Sequence, residues 1–158
     1  MKTSRLLQTL ILPLLLSCSL VASARGSTLY EQIGGEATLH ATVEEFTNLI
    51  LADDRINFTF ADADLNKFKR LLFEQLCEIT GGPCHYTGRD MREAHAKLNL
   101  DDAQFNALAE DLYIAFERTH VPYRLQNRVI ALLAPMERDI VKPGFIAPGT
   151  QKPPARIR

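Results

Sequence analysis

The stretch "TGRDMREAHAKL", residues 87–98, is the part of the sequence that decides the fold. Met91, Ala94 and Leu98 share one face with His95, at the i, i+3, i+4 and i+7 spacing of an amphipathic helix. The spacing predicts one short helix over 87–98 with a histidine on its inner face. From this pattern alone, His95 is either a core residue with a local hydrogen bond or the ligand of a bound group.

The sequence on both sides of this stretch is a series of helical patterns separated by short breaks. Apolar residues recur every three or four positions over 36–52 and 65–80, and again after Asp101 and Pro122. Asp101 is followed three residues later by a glutamine, which is typical of a capping box. No stretch alternates apolar and polar residues for long enough to predict a strand. The sequence therefore predicts a single all-α domain over residues 25–141.

The first 24 residues are similar to an export signal. They have a cationic tip followed by an apolar run. This run is too short and too often interrupted by polar residues and a proline to be a clear membrane span. Cleavage after Ala24 would release a soluble protein, whereas "LLSC" ending at Cys18 is similar to a bacterial lipobox, which would lipidate Cys18 and tether the protein to a membrane. An uncleaved anchor is the third alternative. We expect export to the periplasm.

Charge is distributed unevenly along the chain. Residues 25–141 carry 12 Lys and Arg against 19 Asp and Glu, a net charge of −7, whereas both ends carry only cations. An acidic body argues against nucleic acid as a partner, because phosphate contacts need a basic surface. The basic, proline-rich tail over residues 142–158 is predicted to be disordered.

The three cysteines also favour export. Cys18 is unavailable for a disulfide in either processing route, because it is either lipidated or removed with the export signal. Cys77 and Cys84 lie seven residues apart across "GGP", so the chain can turn back and join them as a disulfide in an oxidising compartment. Two buried free thiols are the alternative. A metal site made of these cysteines and His85 would lack a fourth ligand and a recognised spacing.

Several motifs, in order and with matching gaps, resemble the group I truncated haemoglobins, the small two-over-two globins. The motifs that carry the resemblance are "LYEQIGG" at 29–35, "FTNLILADDRINFTFADAD" at 46–64, "GGPCHYTGRDMREAHAKL" at 81–98, "DAQFNALAEDL" at 102–112 and "ALLAPMERDIV" at 131–141. The resemblance implies a two-over-two globin fold around haem b, with His95 as the proximal ligand of the haem iron. The other ring nitrogen of His95 then needs a partner, most simply a backbone carbonyl one turn earlier.

The resemblance also assigns side chains around the haem. Tyr86 and Lys67 match positions that often reach a haem propionate, although Lys67 is equally suited to an exposed surface. Phe60 matches the family's haem-packing phenylalanine. The other residues that would line the pocket by the same matching are Phe46, Met91 and Phe105.

The distal side departs from the family pattern. Where the family usually has a tyrosine and one or two glutamines, this chain has Thr47, Phe68 and Leu72. The loss of these donors is expected to weaken dioxygen binding by roughly 10- to 100-fold, mainly through faster release, and to affect carbon monoxide and nitric oxide less. Thr47 either supplies one weak donor or bonds to its own helix backbone.

The resemblance implies a haem protein, and the apolar distal residues of this chain favour reversible binding of diatomic gases over an enzymatic reaction. Three alternatives remain open from the sequence. The same iron could process nitric oxide or peroxide, the protein could carry haem or electrons with an unidentified reductase as partner, or the helices could form a structural bundle without haem. None of the pocket residues is an obvious second iron ligand, so a five-coordinate or water-bound iron is expected.

Overall fold

The computed structural model describes residues 26–142, and these residues are mostly helical. The elements are α1 (Leu29–Gln32), α2 (Gly35–Ala52), a 3-10 turn (Asn57–Phe60), α3 (Leu65–Ile79), α4 (Met91–His95), α5 (Asp102–Arg118), α6 (Tyr123–Leu133), a second 3-10 turn (Ala134–Met136) and α7 (Glu137–Ile140). Within this range the extended chain forms only an isolated bridge between Leu100 and Val141. The predicted all-α fold class is confirmed.

The outer parts of the chain are not described. The predictions for residues 1–24, including lipidation of Cys18, lie outside the described residues, and so does the predicted tail apart from Lys142. Between residues 26 and 142, none of the helices combines the length and apolar character that crossing a membrane requires.

Side chains placed before the helices define where they begin. The carboxylates of Asp64 and Asp90 accept the backbone amides three residues into α3 and α4. At α5, Asp101 accepts the amide of Gln104, and the Gln104 side chain in turn accepts the amide of Asp101. This is the capping box predicted from the sequence, and it satisfies two of the backbone donors that every helix start leaves free.

Helix α4 is shorter than the sequence predicts. The apolar spacing predicted one helix over 87–98, and this was wrong, because Asp90 is the N-cap and α4 ends at His95. The chain then turns, with the amide of Leu98 donating to the carbonyl of His95. Asn99 follows in the left-handed region, with φ of 50°, a conformation that asparagine tolerates better than most residues. Only five residues therefore support the side chain of His95.

Helix α2 lies at the centre of the fold. It packs closely on both α3 and α5, whereas α4 packs on α7. The apolar residues that α2 buries share one face, with spacings of four, three and four: Leu39, Val43, Phe46 and Ile50. In the described chain, α3 and α4 do not approach each other as closely as either approaches its own packing partner.

Candidate functional site

His95 is the last residue of α4 and is half-buried. Its Nδ1 lies 2.7 Å from the backbone carbonyl oxygen of Met91, one turn earlier in the same helix. A carbonyl can only accept a hydrogen bond, so Nδ1 carries the proton and donates it. Nε2 of the same tautomer then presents its lone pair, which is the form in which an imidazole binds a metal. This is the local bond expected if His95 is a ligand.

Three phenylalanine rings from different elements form an apolar wall. The ring of Phe68 on α3 lies 6.5 Å from that of Phe46 on α2 and 5.2 Å from that of Phe60 in the first 3-10 turn, in an edge-to-face arrangement with Phe60. Phe46 is fully buried, whereas Phe60 and Phe68 are half-buried. Leu72, one turn after Phe68, is half-buried too. The wall therefore keeps apolar surface that a ligand can cover.

Thr47 contributes no free donor to this wall. It is buried, and its hydroxyl donates to the carbonyl of Val43 over 2.7 Å. The structure thus has the second of the two arrangements left open by the sequence, in which the hydroxyl bonds to its own helix. Of the three distal positions, Thr47 has its proton engaged, and Phe68 and Leu72 have no polar hydrogen to offer.

Sequence reasoning missed Gln75. This half-buried residue follows Phe68 by seven positions and Leu72 by three, so the three lie on one face of α3, and that spacing was the available signal. Its amide nitrogen lies 3.4 Å from the sulfur of Met91 and 3.4 Å from the sulfur of Met136. Gln75 therefore joins α3 to α4 and to the second 3-10 turn through thioether sulfurs, which are weak acceptors.

The loop between α3 and α4 is attached to α3 by two glutamates. The Glu78 carboxylate accepts from Nδ1 of His85 over 2.8 Å and from the amide of Tyr86 over 3.3 Å. The Glu74 carboxylate accepts from the hydroxyl and the amide of Thr87, over 2.6 and 3.0 Å. The hydrogen bonds from Thr87 hold the pKa of Glu74 below its usual range.

A disulfide attaches the same loop. Cys77 in the last turns of α3 is bonded to Cys84 in the loop. Gly82 lies against this bond, and a Cβ added there would come within 2.6 Å of the Cys77 sulfur and 2.9 Å of its carbonyl oxygen. A side chain at position 82 would thus displace the disulfide. No group of histidines, cysteines and carboxylates in residues 26–142 is arranged to hold a metal ion.

Three of the predicted haem contacts lie apart from these clusters. Lys67 is exposed in the first turn of α3, and Phe105 is half-buried in the first turn of α5. The hydroxyl of Tyr86 donates to the carbonyl of Arg89 over 2.9 Å, and burial raises its pKa. Within the described part of the chain, no hydrogen bond or ring contact joins any of the three to His95 or to the phenylalanines. Their roles toward haem stay predictions.

Taken together, these residues fit an iron porphyrin. An imidazole with its proton held on Nδ1 supplies one nitrogen ligand, and half-buried aromatic and aliphatic side chains suit a large flat apolar ring. The apolar wall belongs to α2, the first 3-10 turn and α3, whereas His95 ends α4, so the two sides of a ring held between them would meet different groups.

A protein-family comparison matches residues 28–142 to the family described as bacterial-like globin. Among curated proteins, a group 1 truncated haemoglobin of Tetrahymena thermophila is 38% identical over 112 residues, which are 71% of this chain and 93% of the relative. The group 1 truncated haemoglobin GlbN of Synechocystis is 39% identical over 121 residues, which cover 73% of this chain and 98% of the relative.

Solved structures of the same kind are similar in fold. The truncated haemoglobin of Tetrahymena pyriformis in its Fe(III) form superposes with a TM-score of 0.71 at 30% identity, over 73% of this chain and 98% of that one. The two-over-two haemoglobin of Synechococcus, solved with covalently attached haem, has a TM-score of 0.68 at 30% identity over the same shares of the two chains.

Proposed function

This chain belongs to the truncated haemoglobins of the bacterial-like globin family, and on that premise we propose that it binds haem b through Nε2 of His95 and reversibly binds a diatomic gas at the haem iron. The observation that carries the proposal is the hydrogen bond from Nδ1 of His95 to Met91, because it directs the nitrogen lone pair away from the helix backbone. Haem b, when bound, would supply an iron that can take up dioxygen, carbon monoxide or nitric oxide.

The remaining pocket residues act by covering the ring and by orienting it. The side chains that exclude water from its faces are Phe46, Phe60, Phe68, Leu72, Met91 and Phe105. Lys67 and Tyr86 pair with the propionates at the exposed edge. The hydroxyl of Tyr86 already donates to Arg89, so a propionate contact by Tyr86 requires that bond to be exchanged. Among the described residues, no acceptor is bonded to the ammonium group of Lys67, so a propionate contact by Lys67 requires no bond to be exchanged.

The distal wall favours gas binding over a turnover reaction. Peroxide cleavage needs an acid or base beside the iron, and stabilisation of dioxygen needs hydrogen-bond donors there. Phe68 and Leu72 offer neither, and the hydroxyl of Thr47 is held by Val43. We therefore propose reversible gas binding, and not turnover of the gas, as the main activity at this site.

The absorption spectrum of the reduced protein with and without carbon monoxide tests this function. We expect a Soret band after haem addition, and we expect carbon monoxide to shift and sharpen that band because none of the pocket residues is an obvious second iron ligand. A purified protein that shows no Soret band after haem addition would contradict the proposal. A band that carbon monoxide does not move would contradict gas binding alone.

We further propose that the protein is exported to the periplasm and tethered to a membrane through lipid on Cys18. The lipobox-like "LLSC" supports the tether. The disulfide between Cys77 and Cys84 supports export, because such bonds persist in oxidising compartments.

Replacement of Cys18 by serine is expected to abolish incorporation of radiolabelled fatty acid into the protein, since the acyl chains need the cysteine. Labelled cells that produce the full chain would show the difference on a gel of the purified protein. Ser19→Ala is the matched control, because it leaves the cysteine in place and should keep the label. Wild-type protein without label would contradict the tether.

A further inference from the structure

We infer that the disulfide between Cys77 and Cys84 positions His95, so that reduction of this pair loosens the protein's hold on haem. The inference rests on the proposed haem binding and extends it to the part of the chain that leads into α4. It assigns a role to a bond that the comparisons with relatives do not explain.

Helix α4 depends on its surroundings for its order. An isolated helix of fewer than about 12 residues is marginal in water, and α4 has only the five residues Met91–His95. Its order comes from the Asp90 cap, from packing on α7 and from the loop over 80–90 that connects it to α3. The position of His95 therefore depends on how firmly that loop is held.

The loop is held to α3 at three consecutive places. The disulfide holds residue 84, Glu78 holds residues 85 and 86, and Glu74 holds residue 87. The bond from the hydroxyl of Tyr86 to the carbonyl of Arg89 extends this attachment to the residue before the Asp90 cap. A continuous set of bonds thus runs from α3 to the start of α4.

The disulfide is the attachment that water cannot replace. In the pair of Glu78 and His85, the side chains are 41% and 85% exposed, and such exposed pairs contribute little because water competes for both partners. The covalent bond closes an eight-residue loop from Cys77 to Cys84, and water does not compete with it. Once it is broken, hydrogen bonds alone would hold the loop, namely those to the exposed Glu78 and those from Thr87 to Glu74, whose side chain is 17% exposed.

The geometry also indicates how a reductant reaches the bond. Cys77 is fully buried, whereas Cys84 is partly exposed, so a thiolate of a dithiol attacks the sulfur of Cys84 and displaces Cys77 as a thiolate, which takes up a proton. The second thiol of the reductant then displaces Cys84 as a thiol. The dithiol ends as a disulfide, and the two cysteines gain the two hydrogens that it loses. Firm haem retention would thus be confined to an oxidising compartment.

The rate of haem loss tests the inference. Haem-loaded full chain, with and without prior treatment with dithiothreitol, is mixed with excess apoglobin that captures released haem, and mass measurement confirms that both thiols are free. We expect loss to be about tenfold faster after reduction, since part of the order that the closed loop gives to α4 is lost. The variant Cys77→Ser/Cys84→Ser should lose haem at the reduced rate with or without dithiothreitol.

A second readout separates positioning of His95 from a general loss of stability. The iron–histidine stretching band of the ferrous protein, measured by resonance Raman, should shift on reduction and in the double variant. Val129→Ala is the matched control, because it opens a cavity at a fully buried position in α6 and should lower stability without moving the band.

Each outcome has a defined meaning. Equal haem loss and an unmoved band in the two redox states would overturn the inference while haem binding stands. A protein with no Soret band in either state would overturn the proposed function instead. If the double variant does not fold, the comparison of oxidised and reduced wild-type protein decides alone.

Discussion

Alanine at position 95 is expected to lower haem affinity by more than about 100-fold. Loss of a group that merely orients a metal ligand costs 10- to 100-fold, and His95→Ala removes the proposed ligand itself. The apolar wall of Phe46, Phe60 and Phe68 would still attract the ring, so we expect weak haem binding to remain, with a broad and shifted Soret band. Titration of the apoprotein with haem, followed by absorption, measures the change.

A control variant and a rescue make this result specific. His40→Ala removes an exposed imidazole that stacks on Phe73, and it should keep the wild-type band. His95→Gly with added imidazole should recover much of the band, because the free imidazole can enter the space left by the ring. An unchanged spectrum in His95→Ala would show that another group binds the iron.

The parts of the fold that local chemistry determines could be predicted from the sequence. The buried face of α2 repeats at intervals of three and four residues, and the structure buries those positions together. The capping box at Asp101 and Gln104 needs only side chains three residues apart, and both of its bonds are present. In each case the interaction lies within one helix turn or along one helix face, where sequence spacing equals spatial spacing.

The rest depended on contacts between distant segments. Helix α4 is shorter than its apolar spacing suggests, because Asp90 caps it and Thr87 is bonded to Glu74 of another helix. The sequence allowed Thr47 two partners, and only the folded chain decides between them. Whether Cys77 and Cys84 are joined was left open for the same reason.

The role of His95 illustrates the same limit. Periodicity placed it on an inner face but did not distinguish a ligand from an ordinary core histidine, and the assignment came from resemblance to a family. The structure adds the bond from Nδ1 to Met91, which agrees with a ligand role. Gln75 was overlooked because a polar residue amid an apolar pattern is usually exposed, whereas here it contacts two methionine sulfurs.

Glutamine at position 72 is expected to slow dioxygen release about tenfold or more. Leu72 lies on the half-buried face of α3 beside Phe68, and glutamine has a similar volume, so Leu72→Gln adds an amide donor with little repacking. A hydrogen bond to a partly charged ligand is worth about 1.5–3 kcal/mol, and each 1.4 kcal/mol corresponds to a factor of ten. Stopped-flow mixing of the oxygenated protein with dithionite measures release, and the carbon monoxide rates should change much less.

Thr47→Val is the matched control, and it shows what the distal wall is for. Valine has the shape of threonine without the hydroxyl, whose proton already goes to the carbonyl of Val43, so dioxygen release should stay within about twofold of wild type. A large acceleration would mean that Thr47 exchanges its backbone bond for the ligand.

Slow release in the wild-type protein would point to an unassigned donor. Gln75 is then the first candidate, because its amide shares the face of Phe68 and Leu72 and is held only by weak acceptors. Fast dioxygen release in both the wild-type protein and Thr47→Val would mean that the iron exchanges dioxygen freely. Free exchange suits gas exchange or sensing and not storage.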